Sequence, residues 1–213
     1  MPIAWDGDPP GAAHRIEVNI RAVLTAIVED AHARRRPAAA MALDWHRATY
    51  AGIALPVDYY AGEIRDSDPR FPLLMGYEVG VGSAMGVLSA EVPAALVAFD
   101  ASCQAMVATL DAAIPAGSPP LIATELRAVL LAAAIAHGEW IRIHPFANGN
   151  GRTARLWGNW VGVRYGLPVF IRLRPRPAGA GYAAAAAASM RGDHQPMAAV
   201  FSTMLRGLAR GSP

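Results

Sequence analysis

Between Ile143 and Arg155 the chain reads IHPFANGNGRTAR, which gathers a histidine, two asparagines and two arginines in a sequence otherwise rich in alanine and leucine. Gly149 and Gly151 permit backbone conformations closed to other residues. With Asn150 between them and Arg152 after, successive N–H groups can converge on one concavity. At the start of a helix such a nest is an anion site. Arg152 and Arg155 stand three apart, so they share a helix face and can both reach a polyphosphate. His144 sits just ahead of the loop, placed to act as a general base near neutral pH. Phe146 reads first as a pin that holds the loop in the core. A base, an anion nest and two arginines describe a site for phosphoryl or nucleotidyl transfer. The plainer reading, a glycine-rich helix junction with a surface histidine, would need no such set of groups.

These groups need helices to position them. From Ile16 to His32, Ile16, Ile20, Val23, Leu24, Ile27 and Val28 recur at helical spacing. ARRRPAAA breaks that helix, and AAMALDWHRATYAG predicts a second. LPVDYYAGEIRDSDPRFP reads as a structured connection. GYEVGVGSAMGVLSAEVP (76–93) mixes β-branched residues with glycines and predicts a short hairpin. A helix follows over Pro93–Ala113. SPPLIATELRAVLLAAAIAHGEWI predicts the next, with Ser118 as N-cap and Pro119 in its first turn. It is apolar nearly all round, as a central buried helix should be. RTARLWGNWVGVRYG predicts another, and PVFIRLRP reads as a short strand or an extended link. The tail predicts two more helices split near Gly192. The chain reads as mainly α with one small hairpin.

HPFANGNGRTAR resembles the signature of the Fic family, His-x-Phe-x-(Asp/Glu)-Gly-Asn-Gly-Arg-x-x-Arg, and matches it at all seven single-residue positions. Upstream, LDWHRATYAG and YYAGEIRD are similar to the family's His-Arg helix and its Ala-Gly-x-x-Arg segment. GYEVGVGSAMGVLSAEVP lies where the family keeps its target-binding flap. YGLPV and GYAAAAAASMRGDHQPMAAVF resemble its C-terminal helices. The resemblance implies a Fic fold, a single helical domain over residues 1–213 with a short β-hairpin flap. Residues 1–40 would be a leader and an inhibitory helix, and residues 41–210 the core.

The resemblance also implies an activity: a protein adenylyltransferase that moves AMP from ATP, with Mg²⁺, to a Ser, Thr or Tyr hydroxyl of a protein target. His144 would take the hydroxyl proton. By position in the motif, Phe146, Gly149, Asn150, Gly151 and Arg152 would surround the nucleotide, and Arg155 would grip its terminal phosphate. Tyr77, Glu78, Val79, Gly80 and Val81 would form the flap that aligns the target as an added β-strand.

The sequence departs from the family at Asn148, where an Asp or Glu holds Mg²⁺. Mg²⁺ prefers charged oxygens, and an amide offers none. Three outcomes follow: transfer with Asn148 as a weaker metal ligand, a different phosphate-containing donor, or a catalytically silent module that binds a nucleotide or a partner. Many relatives are inhibited by a helix carrying (Ser/Thr)-x-x-x-Glu-(Gly/Asn). TAIVED places Thr25 and Glu29 at that spacing, with Arg155 as the expected partner of Glu29, although Asp30 replaces the small last residue. The alternatives are a separate antitoxin-like inhibitor and no inhibition at all.

Composition excludes several other classes. All 19 basic residues are arginine, so a phosphate loop with lysine and a Schiff-base lysine are both absent. A formal charge of +2 is too small to argue for nucleic acid. The apolar run AVLLAAAIA is about half the ~20 residues of a bilayer span, so no membrane role is expected. The start shows no basic leader ahead of an apolar stretch. One cysteine, Cys103, fits a reducing cytoplasm, and a bacterial setting follows by analogy with relatives. His137 and Glu139 form a His-x-Glu without the cysteines of a zinc deaminase, so His137 reads as a core histidine. His46 reads as support for the fold near the site.

Overall fold

A computed structural model describes residues 3–66 and 68–211. In chain order its helices are α1 (Ala13–His32), α2 (Ala39–Thr49), α3 (Val92–Ala113), α4 (Ala123–Ile143), α5 (Asn150–Arg164), α6 (Ala180–Ser189) and α7 (Gln195–Ala209). One antiparallel hairpin, β1 (Gly80–Val81) and β2 (Ala84–Met85), lies between α2 and α3. The fold is therefore mainly α with a small hairpin, as the sequence predicts.

The centre is α4 against α5, with α3, α6 and α7 packed on α4, and α1 laid over α5. The composition of α4 explains its place, since Val129, Ala133, Ala136, Trp140 and Ile143 are all fully buried. In α5 nearly every residue is buried. Gly158 and Gly162 allow this, although glycine in a helix costs about 1 kcal/mol relative to alanine. A Cβ would stand 2.6 Å from Ile171 Cδ1 at the first and 2.8 Å from Phe170 Cε1 at the second. Trp140, Trp157 and Trp160 fill the core without exposure. Phe99 meets two of them edge-on, with ring centroids 5.3 and 5.2 Å away.

One local expectation is corrected and two are narrowed. Helix α4 begins at Ala123 with Ile122 as N-cap, not at Ser118 and Pro119. Pro120 disfavours helical backbone at Pro119, and Glu125 reaches back to accept the N–H of Leu121 at 2.8 Å. The hairpin is confined to residues 80–85, with Gly82 at φ +63° leading its two-residue turn. The 168–175 segment is an extended link. Its N–H groups at Phe170 and Ile171 donate to Asn159 Oδ1 (3.1 and 3.0 Å), and Asn159 Nδ2 donates to the Ile171 carbonyl (2.8 Å). A side chain of α5 thus satisfies the main chain that a neighbouring strand would otherwise pair.

Among the described residues one stretch, Ser89–Ala113, is long and apolar enough to cross a membrane by length and composition. In this fold it is a bundle helix: Phe99, Cys103, Val107 and Leu110 face the core. From the same helix Asp100 accepts the Ala39 N–H, and Asp111 pairs with Arg164 at 2.6 Å.

Candidate active site

His144 caps the C-terminus of α4 in left-handed backbone, φ +52°, with its N–H still bonded to the Trp140 carbonyl at 2.9 Å. That single left-handed residue stops the helix and turns the chain into the motif loop. His144 Nδ1 lies 3.0 Å from the carbonyl of Ile141. A carbonyl can only accept, so Nδ1 carries the hydrogen and Nε2 keeps its lone pair. Burial pushes the imidazole pKa down to about 4, the Ile141 bond opposes that shift, and the Arg65 guanidinium adds to it. His144 is therefore a neutral base with a fixed tautomer at pH 7.

The loop is braced from several sides. Phe146 is wholly buried and stacks on His46 with centroids 3.8 Å apart. Asn150 brackets the Phe146 peptide: its Oδ1 accepts the N–H at 2.9 Å and its Nδ2 donates to the carbonyl at 2.8 Å. Nδ1 of His46 accepts the N–H of Gly62 (2.9 Å), so Nε2–H donates to the Asn148 carbonyl (3.0 Å). Complete burial lowers the His46 pKa to about 3, which keeps this anchor neutral. Gly149 has φ +79°, and a Cβ there would meet His46 Nε2 at 2.7 Å and Tyr50 Oη at 2.8 Å. Helix α5 starts at the next residue, so the N–H groups of Asn150 and Gly151 have no helical carbonyl behind them.

A cavity of about 400 Å³ opens on this junction, lined by His144, Asn148 to Arg152, Arg155 and Val81 of the hairpin. Beside it a second cavity of about 510 Å³ is lined by Arg152, Arg155, Arg174 and Arg176, together with the acids Glu17 and Asp8. Arg155 donates to the Leu173 carbonyl at 2.8 Å. Its pKa is lowered by burial, with the Tyr182 phenol acting in the opposite direction. Four guanidiniums around one junction suit a polyanion.

The structure thus brings His144, Gly149, Asn150, Gly151, Arg152 and Arg155 to one cavity. Two residues that motif position assigns to the nucleotide turn their side chains to the loop instead, Phe146 as the pin that its first reading made it. The Phe146 ring is buried in the core, so it holds the loop and has no surface to offer a nucleotide. The Asn150 side chain is spent on Phe146, which leaves its main chain for an anion. Asn148 as placed is a poor metal ligand: its amide carries no charge, one lone pair of its Oδ1 already accepts the Gly149 N–H at 2.6 Å, and its Nδ2 donates to the Trp5 carbonyl at 2.6 Å. Among the described residues no group of three or more His, Cys, Asp or Glu side chains could hold a metal ion.

Glu29 is also displaced from its expected role. It is exposed near the C-terminal end of α1, on a surface cavity with Arg35 and Trp45 that excludes Arg155. The α1 residue that faces Arg152 and Arg155 is Glu17, about 18 Å back along the helix. In the hairpin region, Val81 reaches the cavity, whereas Tyr77 and Glu78 anchor the hairpin from behind. The Tyr77 carbonyl accepts from Arg65 at 2.6 Å, and the Glu78 carboxylate accepts from the Ser89 N–H at 3.0 Å and the Ser89 hydroxyl at 2.7 Å.

Two features were not singled out from sequence. Arg65 has no exposed surface and donates to the carbonyls of His144 (2.8 Å), Tyr77 (2.6 Å), Val87 (2.9 Å) and Ile143 (3.3 Å). It fastens the hairpin to the backbone of the base, and its signal was the Ala-Gly-x-x-Arg segment. The second feature is the leader. Trp5 is buried against Tyr50, Tyr60 and His46, and the Asp8 carboxylate accepts from Arg152 Nη2 at 2.9 and 3.0 Å.

The Fic/DOC family model matches residues 38–161. Among solved structures, a Fic-domain-containing signaling protein from Bacteroides thetaiotaomicron superposes with a TM-score of 0.66 at 18% identity, over 98% of this chain and 77% of that one. Fic-1 from C. elegans (residues 134–508) gives a TM-score of 0.59 at 20% identity, over all of this chain and 56% of that one. At these identities the likeness is one of fold. No curated protein matches the chain. The family match covers more than half of the sequence, including α2, the hairpin, His144 and the motif loop, and the chain belongs to the Fic/DOC family.

Proposed function

We propose that the chain is a nucleotidyltransferase that moves AMP from ATP to the side-chain hydroxyl of a protein target. The observation that carries this reading is the position of His144: a neutral base with Nε2 free, on the cavity shared with the N-terminus of α5, Arg152 and Arg155. Nε2 would take the proton of the attacking hydroxyl as its oxygen bonds to the α-phosphorus. The bond from that phosphorus to the bridging oxygen then breaks, and pyrophosphate leaves. The charge that develops on the leaving group would meet Arg155, Arg152 and the N–H groups of Asn150 and Gly151. The hairpin has free edges to which an extended target segment could add, and Val81 brings it to the cavity beside His144. No step is assigned to a metal at Asn148, whose amide is already bonded on both sides.

Incubation with ATP radiolabelled at the α-phosphorus tests the proposal. Label transferred to protein by the wild type and lost in His144→Ala supports it. Competition by other unlabelled nucleotides tests a second reading, a different phosphate-containing donor, which the amide at Asn148 favours.

A further inference from the structure

We infer that residues 5–8 form an autoinhibitory strap, in which the Asp8 carboxylate occupies the place of a donor phosphate on Arg152 and the Asn148 amide latches the strap down. This inference rests on the reading of the cavity as a polyphosphate site.

The strap crosses the motif loop from outside the family's matched region. Its anchor is Trp5, which is 7% exposed and packed edge-on against Tyr50 at 4.7 Å between centroids. From there the chain presses onto the loop: a Cβ at Gly7 would stand 2.8 Å from Asn148 Oδ1 and 3.1 Å from Tyr50 Oη. Glycine is the residue that allows so close a passage. One step later Asp8 meets the cations. Both its oxygens accept from Arg152 Nη2, and Oδ1 also accepts from Arg174 Nε at 3.1 Å. A carboxylate is the nearest protein imitation of a phosphate oxygen pair, and Asp8 faces both arginine-lined cavities.

The amide at Asn148 belongs to this arrangement. Its Nδ2 must donate to the Trp5 carbonyl while its Oδ1 accepts the Gly149 N–H. A carboxylate could serve the second bond but would set an anion against a carbonyl oxygen at the first. The exchange of carboxylate for amide therefore favours the strap at the position where the family would hold a metal. Asp8 itself is half-exposed, so an arriving polyphosphate can compete for Arg152 from the solvent side.

The test is calorimetric binding of inorganic pyrophosphate to the full chain, without divalent metal, for wild type, Asp8→Ala, Arg152→Ala and the double variant. Asp8→Ala should bind at least tenfold more tightly than wild type, and that gain should vanish when Arg152 is also replaced. Because Asp8 is half-exposed, its variant should keep the wild-type thermal melt. In parallel, hydrogen exchange at residues 5–8 of the wild type should speed up when pyrophosphate is added. Equal or weaker binding by Asp8→Ala would overturn the inference and make Asp8 part of the working site. Pyrophosphate binding to none of the variants would also overturn it, since the strap would then guard nothing. These readouts do not depend on AMP transfer, so a failed labelling experiment beside a tenfold gain would refute the transferase reading and leave the strap standing.

Discussion

Asn148 donates its side-chain N–H to the carbonyl of Trp5 across 2.6 Å, joining two residues 143 apart in sequence. That bond accounts for an amide where relatives carry an acid, because only an amide can donate to the strap and accept from Gly149 at once. Asn148→Asp should therefore lose about 1–2 kcal/mol of stability, through one lost hydrogen bond and one carbonyl left without its donor. Thermal or urea unfolding measures this. A variant more stable than wild type would contradict the latch.

The depressed pKa of His144 sets a pH dependence. The imidazole works as a base only when neutral, and burial holds its pKa near 4, below the ordinary 6.5. Activity at low substrate should stay level from pH 7.5 to about 5.5, with the acid limb of kcat/KM near 4. A limb near 6.5 would mean that the base is solvated and titrates normally.

Stability should follow the two fully buried histidines. His46 and His137 each have their pKa lowered to about 3 by desolvation, whereas an unfolded chain protonates them near 6.5. Between those values the unfolded state binds more protons, so acidification destabilises the fold. The effect is at most about 1.4 kcal/mol per pH unit for each histidine. Melting temperature recorded from pH 7 to 4 should fall throughout, and replacing His137 should flatten the curve. A melting temperature that held steady over this range would contradict the buried neutral state.

Arg65 joins the hairpin to the base, and lysine cannot reproduce the join. A single ammonium cannot span carbonyls on His144, Tyr77 and Val87 as a planar guanidinium does. Arg65→Lys should cost about 2–4 kcal/mol by leaving buried carbonyls unpaired. Chemical denaturation checks the cost; a change under about 0.5 kcal/mol would show that the bridge is dispensable.

Gly86 offers a finer probe of the same join. A Cβ there would lie 2.9 Å from His144 Cβ, so Gly86→Ala must push the hairpin and the base apart. Misplacement of about 1 Å can cost about a hundredfold in rate. Transfer should fall by at least tenfold while unfolding changes little. Unaltered transfer would place the hairpin outside the reaction.

What could be read from sequence was local. Helix periodicity put α1, α3, α5 and α7 close to their observed positions, because their apolar stripes are buried against neighbours in the bundle. The motif residues were legible because their types and spacing carry the chemistry directly. Contacts between distant segments were not. The start of residues 1–40 reads only as a leader, since nothing in WDGD announces that Trp5 docks on Tyr50 or that Asp8 meets Arg152. Glu29 matched a spacing pattern, yet spacing cannot say which end of α1 lies over Arg155, and Glu17 is the acid found there. Asn150 is assigned to the nucleotide by its place in the motif and in the backbone nest, and neither shows that its side chain is taken up by its own loop.

Transfer of AMP driven by His144 is tested most directly by labelling with ATP radioactive at the α-phosphorus. Wild type, Asp8→Ala and His144→Ala would be compared on the purified protein and on a lysate. Label is expected from wild type, more from Asp8→Ala, and none from His144→Ala. Equal labelling by His144→Ala, or no label from Asp8→Ala despite measured ATP binding, would contradict it.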